Sequence, residues 1–336
     1  MAEASPPYTL TPVILRLVEE IGEWLGRYSA TTRETLTPRL RRENRIRTVQ
    51  ASLAIEHNTL TVEQVTAVLE GKRVLGLPRE IQEVRNAFAA YEQLDHWNPI
   101  SRDDLLAAHG ILMAGLVDRP GEFRSGGVGI YQGDRVVFMA PPADRVPELM
   151  NDLLTWLKKT DEHPLVASCV FHYEFEFIHP FTDSNGRLGR LWQTLILSKW
   201  KPLLACLPVE AVIRDRQEEY YRVLGQADGS ATATPLVEFM LEAPRAVIEE
   251  TVASDQVSDQ VIRLLEEIGK KEIGTAELME GLGLSHRPTF RKNYLESALA
   301  AGAIERTQPD SPRSPTQRYR LTDKGRRILN TLKGGR

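Results

Sequence analysis

Only two of the 336 residues are cysteine, Cys169 and Cys206, too few for a disulfide framework. Both sit among apolar neighbours, so each is expected to be a buried thiol in a reducing compartment. No run approaches the roughly 18 apolar residues that a bilayer-spanning helix needs. The opening MAEASPPYTLTP lacks a basic flank followed by an apolar core, so no secretory signal is expected. These absences point to a cytoplasmic protein with no membrane partner. An excess of one charge is missing as well, since 42 Lys+Arg face 46 Asp+Glu, net −4. With 42% hydrophobic residues the chain has the composition of a folded globular protein, long enough for two or three domains.

Locally the charge is less even. Residues 255–336 hold 15 Lys+Arg against 11 Asp+Glu, and from Arg287 onward the balance is 12 against 4. A separate basic module is therefore expected at the C-terminal end. The preceding 250 residues read mainly as helices, with apolar positions three and four apart over 12–28, 34–57, 63–69, 80–94, 103–115, 144–158 and 164–178. Thr61 and Ser101 are candidate N-caps. One segment breaks the pattern. In Gly126–Pro142 the pair Gly133-Asp134 separates two β-prone runs, Val128–Tyr131 and Val136–Met139, as in a hairpin.

The densest chemistry lies in His179-Pro180-Phe181-Thr182-Asp183-Ser184-Asn185-Gly186-Arg187-Leu188-Gly189-Arg190. A helix N-terminus leaves about four amides unpaired and carries roughly half a positive charge, so anions settle there. Ser184, Asn185 and Gly186 are small enough to let phosphate oxygens approach those amides. Arg187 and Arg190, three apart, can lean from one helix face, and their planar forks suit phosphate. Asp183 offers the carboxylate that Mg²⁺ takes when phosphates supply other ligands. His179 has the titration range of a base near neutral pH. Upstream, His172, Glu174 and Glu176 hold no His-Glu-x-x-His pairing and no third ligand for a metal, so His172 is expected to be structural.

This run resembles the core motif of the Fic family, His-Pro-Phe-x-Asp/Glu-Gly-Asn-Gly-Arg-x-x-Arg, departing only at Ser184, where the family has Gly. If that position needs a positive φ, Ser costs on the order of 1 kcal/mol. The resemblance implies a mainly α fold: a Fic (Fido) helical domain with a β-hairpin flap. It implies AMP transfer from ATP to a Ser, Thr or Tyr hydroxyl of a protein, which includes the chain itself as a candidate target. His179 would be the base and Asp183 the ligand of Mg²⁺ or Mn²⁺. Asp183, Ser184, Asn185, Gly186, Arg187, Leu188, Gly189 and Arg190 would surround the nucleotide. Tyr220 and Tyr221 match a tyrosine pair that relatives place near adenine and ribose, and Asp228 stands where Asn is common. In the hairpin, Val136, Val137, Phe138 and Met139 would dock an extended target segment by main-chain pairing.

Ser52-Leu53-Ala54-Ile55-Glu56-His57-Asn58 resembles the family's inhibitory motif, Ser/Thr-x-x-x-Glu-Gly/Asn. Ser52 and Glu56 match, while His57 replaces Gly/Asn. Glu56 paired with Arg190 would occupy the guanidinium that holds the γ-phosphate. The same carboxylate could orient water to remove AMP from a modified protein, and both roles stay open. The tail resembles a winged helix-turn-helix, with helices at 257–269 and 275–281, a third helix capped by Ser285, and strands at 303–306 and 317–321. Arg287, Arg291, Lys292 and Arg313 are its candidate nucleic-acid contacts, with a protein partner as the other option. The expected division is N-terminal helices over 1–95, a Fic core over 96–250 and the winged helix over 255–336. Two rival activities stand beside AMP transfer: phosphoryl transfer, and nucleotide sensing by a DNA-binding regulator.

Overall fold

A computed structural model describes residues 6–31, 38–132, 135–255, 259–269, 271–309, 311, 314 and 316–333. The expected hairpin turn, Gly133-Asp134, and Arg313 lie outside the described residues. The chain divides into two compact units, Met1–Leu25 with Leu36–Ile248, and Gly26–Thr35 with Glu249–Arg336. The structure is mainly helical, as expected.

The helices of the first part are α1 (Pro12–Thr31), α2 (Pro38–Ile55), α3 (Val62–Leu69), α4 (Pro78–Glu92) and α5 (Arg102–Leu112). Three of them open on proline, whose missing N–H is no loss in a first turn. At α3, Thr61 accepts from the Gln64 amide at 3.3 Å while the Gln64 side chain takes the Thr61 N–H, a reciprocal cap. Ser101 caps α5 through the Asp104 amide at 3.2 Å. Then come β1 (Gly129–Gln132) and β2 (Arg135–Met139), the expected hairpin, antiparallel with Gly129 opposite Met139 and Tyr131 opposite Val136.

Next are α6 (Val146–Lys159), α7 (Pro164–Ile178) and α8 (Asn185–Trp200). The sequence of α7 is apolar on almost every side, the pattern of a central helix, and Leu165 through Tyr173 are all buried. It packs with α8 in a core that includes Phe171, Phe175, Phe181, Leu188, Leu191 and Trp192. Each such side chain contributes about 1.5–3 kcal/mol by leaving water. The site loop is thus tied at both ends to the most buried part of the unit.

The stretch that carries Tyr220 and Tyr221 follows a short helix, α9 (Val209–Asp215), and forms α10 (Gln217–Ser230), the two broken at Arg216. Arg216 pairs with Glu219 and Glu242 and lies over the Phe239 ring at 4.7 Å. Its partners on α11 (Thr234–Asp255) hold it there, a tertiary cause that no periodicity carries.

The second unit contains α12 (Asp259–Ile268), β3 (Ile273–Gly274), α13 (Thr275–Gly281), α14 (Arg287–Phe290), a π-turn over 291–296, α15 (Ser297–Ala300), β4 (Ile304–Arg306), β5 (Arg318–Leu321) and α16 (Asp323–Lys333). Its sheet is antiparallel in the order β3-β5-β4. Val261, Leu264, Leu265 and Ile268 make one face of α12 and meet Leu278, Phe290, Tyr294 and Leu321. Its third helix starts under His286, which accepts from the Thr289 amide at 3.3 Å; Ser285 is not the cap. Strand β3 and helix α16 are additions to the expected pattern.

Candidate active site

The loop between α7 and α8 begins and ends on residues in left-handed backbone. His179 closes α7 with φ 50°, its N–H still bonded to Phe175 O at 2.9 Å, and Ser184 precedes α8 with φ 70°. Left-handed backbone costs about 1–2 kcal/mol for an L-residue with a Cβ, so other contacts must hold it. Asn185 folds back over the loop, accepting from Phe181 N and donating to Phe181 O, both at 2.9 Å. The Phe181 ring is fully buried and stacks on His109, centroids 3.8 Å apart. His109 Nδ1 accepts from Gly121 N at 2.8 Å, which leaves Nε2 protonated to donate to Asp183 O at 3.2 Å. Burial lowers the His109 pKa to about 4, keeping it neutral.

Arg124 completes the clamp. It is only 4% exposed, and its guanidinium donates to His179 O at 2.7 Å, Ile178 O at 3.3 Å, Gly126 O at 2.9 Å and Pro141 O at 2.5 Å. One side chain therefore ties the strained histidine to both feet of the hairpin. The paired strands and their backbone register set Val136, Val137, Phe138 and Met139 on the second strand, with Met139 exposed.

A cavity of about 300 Å³ is lined at one end by His179, Thr182, Asp183, Ser184, Asn185 and Gly186. Here the first turn of α8 presents its unpaired amides. Asp183 is held by Arg187 at 2.8 Å and by Arg79 at 2.7 Å, while Arg187 also reaches Glu83 at 3.3 Å. The Ser184 hydroxyl is buried without a partner. At the other end the lining is Glu56, Glu176, Tyr220, Tyr221, Leu224 and Asp228. Tyr220 is buried, its hydroxyl 2.9 Å from His172 Nε2. Burial drives the His172 pKa down to about 3, which fits the structural role expected for it. Burial, then the Glu56 charge, pushes Glu176 up to about 8, and Glu176 Oε1 and Asp228 Oδ1 have no partner.

Arg190 is 1% exposed. It donates to Ser52 Oγ at 3.1 Å, to Ser52 O at 2.9 Å and to Glu56 Oε1 at 2.9 Å. Burial works against its charge, and the Glu56 carboxylate outweighs that and holds it cationic. The end of α2 is itself fastened, because Ile55 O accepts from Gln217 at 2.8 Å and from Tyr221 OH at 3.0 Å. His57, where the inhibitory motif has Gly or Asn, has φ 68°, the conformation those residues favour after a helix. Gly186 leaves room for this pair: a Cβ there would meet Glu56 Oε1 and push the carboxylate aside. Burial also lowers the His179 pKa, so its imidazole is neutral and able to accept a proton.

These features have counterparts in known proteins. Residues 99–197 match the Fic/DOC family, and residues 259–322 match the Fic-like C-terminal domain of filamentation-induced-by-cAMP proteins. A crystal structure of a Fic family protein from Desulfovibrio desulfuricans G20 is 68% identical, covers 95% of this chain and 99% of its own, and superposes with a TM-score of 0.72. The chain belongs to the Fic family. Fic-1 of Caenorhabditis elegans, in a solved fragment, is 25% identical over 72% of this chain and 73% of the fragment, TM-score 0.59. The protein adenylyltransferases fic-1 of C. elegans and Fic of Nematostella vectensis are each 28% identical, over 74% and 61% of this chain. The chain spans about half the length of these curated relatives, 49% and 48%.

Against the expectations for a Fic site, five positions differ. Leu188 belongs to the core, and Gly189 packs against His172 and Glu176, so neither lines the cavity. The Asn185 side chain closes the loop instead of facing a ligand. Arg187 and Arg190 do not themselves line the cavity; Arg187 serves Asp183 and, on α4, Glu83, and Arg190 serves Glu56 just past α2, because a buried charge needs a counter-ion. Tyr221 clasps the end of α2 and still borders the cavity. Arg124 and His109 were missed. His109 had a signal, a histidine on the face that carries Leu105, Ala108 and Leu112. Arg124 had none, being one arginine in an aperiodic loop. No group of three His, Cys, Asp or Glu suited to a metal exists among the described residues.

Proposed function

We propose that this Fic chain transfers AMP from ATP to a hydroxyl group of a protein, and that Glu56 restrains the reaction. The observation that carries the reading is one cavity bounded by a neutral His179, the Asp183 carboxylate, the α8 N-terminus and Glu56, whose carboxylate holds Arg190 behind it at 2.9 Å. His179 takes the proton as the target oxygen attacks the α-phosphorus; the bond to the β-phosphate oxygen breaks and pyrophosphate leaves. The α8 amides and the unpartnered Ser184 hydroxyl receive phosphate oxygens. A single carboxylate beside a phosphate site suits Mg²⁺; Asp183 would hold it, exchanging its exposed partner Arg79, and the ion would neutralise phosphate charge. Tyr220, Tyr221 and Asp228 border the far end, where base and ribose would lie. The exposed Met139 and its strand suit docking of an extended target segment.

In the same reading residues 1–95 carry the restraining helix, 96–250 the transferase core and 255–336 a winged helix. The order of helices and strands around the sheet β3-β5-β4 supports the last. A charge-assisted pair is worth about 1.5–3 kcal/mol, or about 10- to 150-fold. Glu56→Gly should therefore raise AMP transfer at least about tenfold, and adding His179→Ala should abolish it. ATP labelled separately at the α and γ positions provides the test. Protein label from α alone supports adenylyl transfer, label from γ means phosphoryl transfer, and equal rates for wild type and Glu56→Gly refute the restraint.

A further inference from the structure

A second cavity, about 210 Å³, lies wholly within the C-terminal unit, between the helical segment 287–300 and strands β4 and β5. Arg287, Arg291 and Arg306 line it together with one carboxylate, Glu296, which holds Arg291 at 3.1 Å. Arg287 and Arg306 have no ion-pair partner among the described residues, and Arg306 Nε is buried without a hydrogen bond. Gln317, also in the lining, is only 6% exposed. Its Nε2 donates to Arg318 O at 2.5 Å, which orients the amide and leaves Oε1 buried with no donor. Buried polar atoms in native folds are nearly always satisfied, so two orphans in one lined cavity point to a missing ligand. The helix beside it is widened by the π-turn at 291–296, a distortion frequent at functional sites.

The two orphans ask for different things. Planar guanidinium forks match the oxygens of a phosphate. A buried amide oxygen requires an O–H or N–H donor, which phosphate oxygens already engaged by guanidinium forks do not offer. The phosphates of a nucleic acid backbone lie outside its duplex and do not bring a hydroxyl to a residue buried to this degree. We propose that this cavity binds a small organic phosphate carrying a hydroxyl group, of pentose-phosphate size, with the phosphate between Arg287 and Arg306 and the hydroxyl on Gln317 Oε1. The site is separate from the 300 Å³ cavity of the catalytic unit and does not depend on the reading given for it.

Calorimetric titration of the full chain with ribose 5-phosphate, inorganic phosphate and ribose tests this. Ribose 5-phosphate should bind, and inorganic phosphate and ribose should each bind at least about tenfold more weakly, since each satisfies only part of the site. Arg306→Gln and, separately, the exposed Arg287→Gln should each weaken ribose 5-phosphate about 10- to 100-fold with melting temperature unchanged. The proposal is overturned if ribose 5-phosphate gives no binding at millimolar concentration, or if inorganic phosphate binds as tightly. Unchanged affinity in both variants overturns it too. So does a result in which the two variants weaken only duplex DNA, which would make the arginines part of a nucleic-acid surface.

Discussion

Ser184 shows how much one atom can matter at the entrance to a helix. The family pattern has glycine there, and this chain holds serine at φ 70° with a buried, unpartnered hydroxyl. Left-handed strain of about 1–2 kcal/mol exceeds the roughly 0.4–1 kcal/mol by which glycine enlarges the unfolded ensemble. Ser184→Gly should therefore stabilise the apo protein by about 0.5–1 kcal/mol, raising the melting temperature by about 1–4 °C in a unit of this size. A drop in melting temperature would mean that the hydroxyl carries a compensating contact. His179, strained in the same way, has no such remedy, since its side chain is the proposed base.

Between elements, the arrangement depends on clamps as much as on helices. Arg124 joins the end of α7 to the two feet of the hairpin through four backbone carbonyls. Arg124→Gln keeps much of the shape but leaves buried acceptors unsatisfied, at about 1–3 kcal/mol. The expected outcome is lower stability in urea. In the Glu56→Gly background, transfer should fall through kcat more than through the KM for ATP, because the histidine and the flap lose their common anchor. An unchanged kcat would show that the loop holds His179 without it. The clasp on α2 belongs to the same class: Gln217 and Tyr221, on α10, hold the carbonyl next to Glu56.

For the molecule as a whole, each buried titratable group gives stability a pH-dependent contribution of definite sign. His109 has its ordinary value of 6.5 when unfolded and about 4 when folded. Between those values the unfolded chain binds more protons, so stability is present above about pH 6.5 and is lost as pH falls toward 4. His172, at about 3, acts in the same direction. Glu176 opposes them: its folded value near 8 lies above its ordinary 4.5, so its contribution is lost as pH rises through that window. Glu174, raised by burial to about 7, acts with Glu176, so the two histidines and the two carboxyls oppose each other between pH 5 and 7. In urea unfolding at these two values, His109→Gln should shift the stability at pH 5 relative to pH 7 upward by on the order of 1–3 kcal/mol, while Glu176→Gln should shift it downward; no difference between wild type and His109→Gln would remove His109 from the account. At this scale one can also separate what was legible in the chain. The run from His179 to Arg190, the hairpin, the Ser52–Glu56 pattern and the basic tail are local: residue type and spacing in one stretch carry them, because helix periods, turn chemistry and ligand chemistry are properties of neighbours along the sequence. The Glu83 partner of Arg187, the four-carbonyl reach of Arg124, the break at Arg216 and the cavity around Gln317 were decided only by tertiary structure. Each requires a buried charge or polar atom to find its counterpart on an element far away in sequence, and spacing along the chain holds no record of which element that will be.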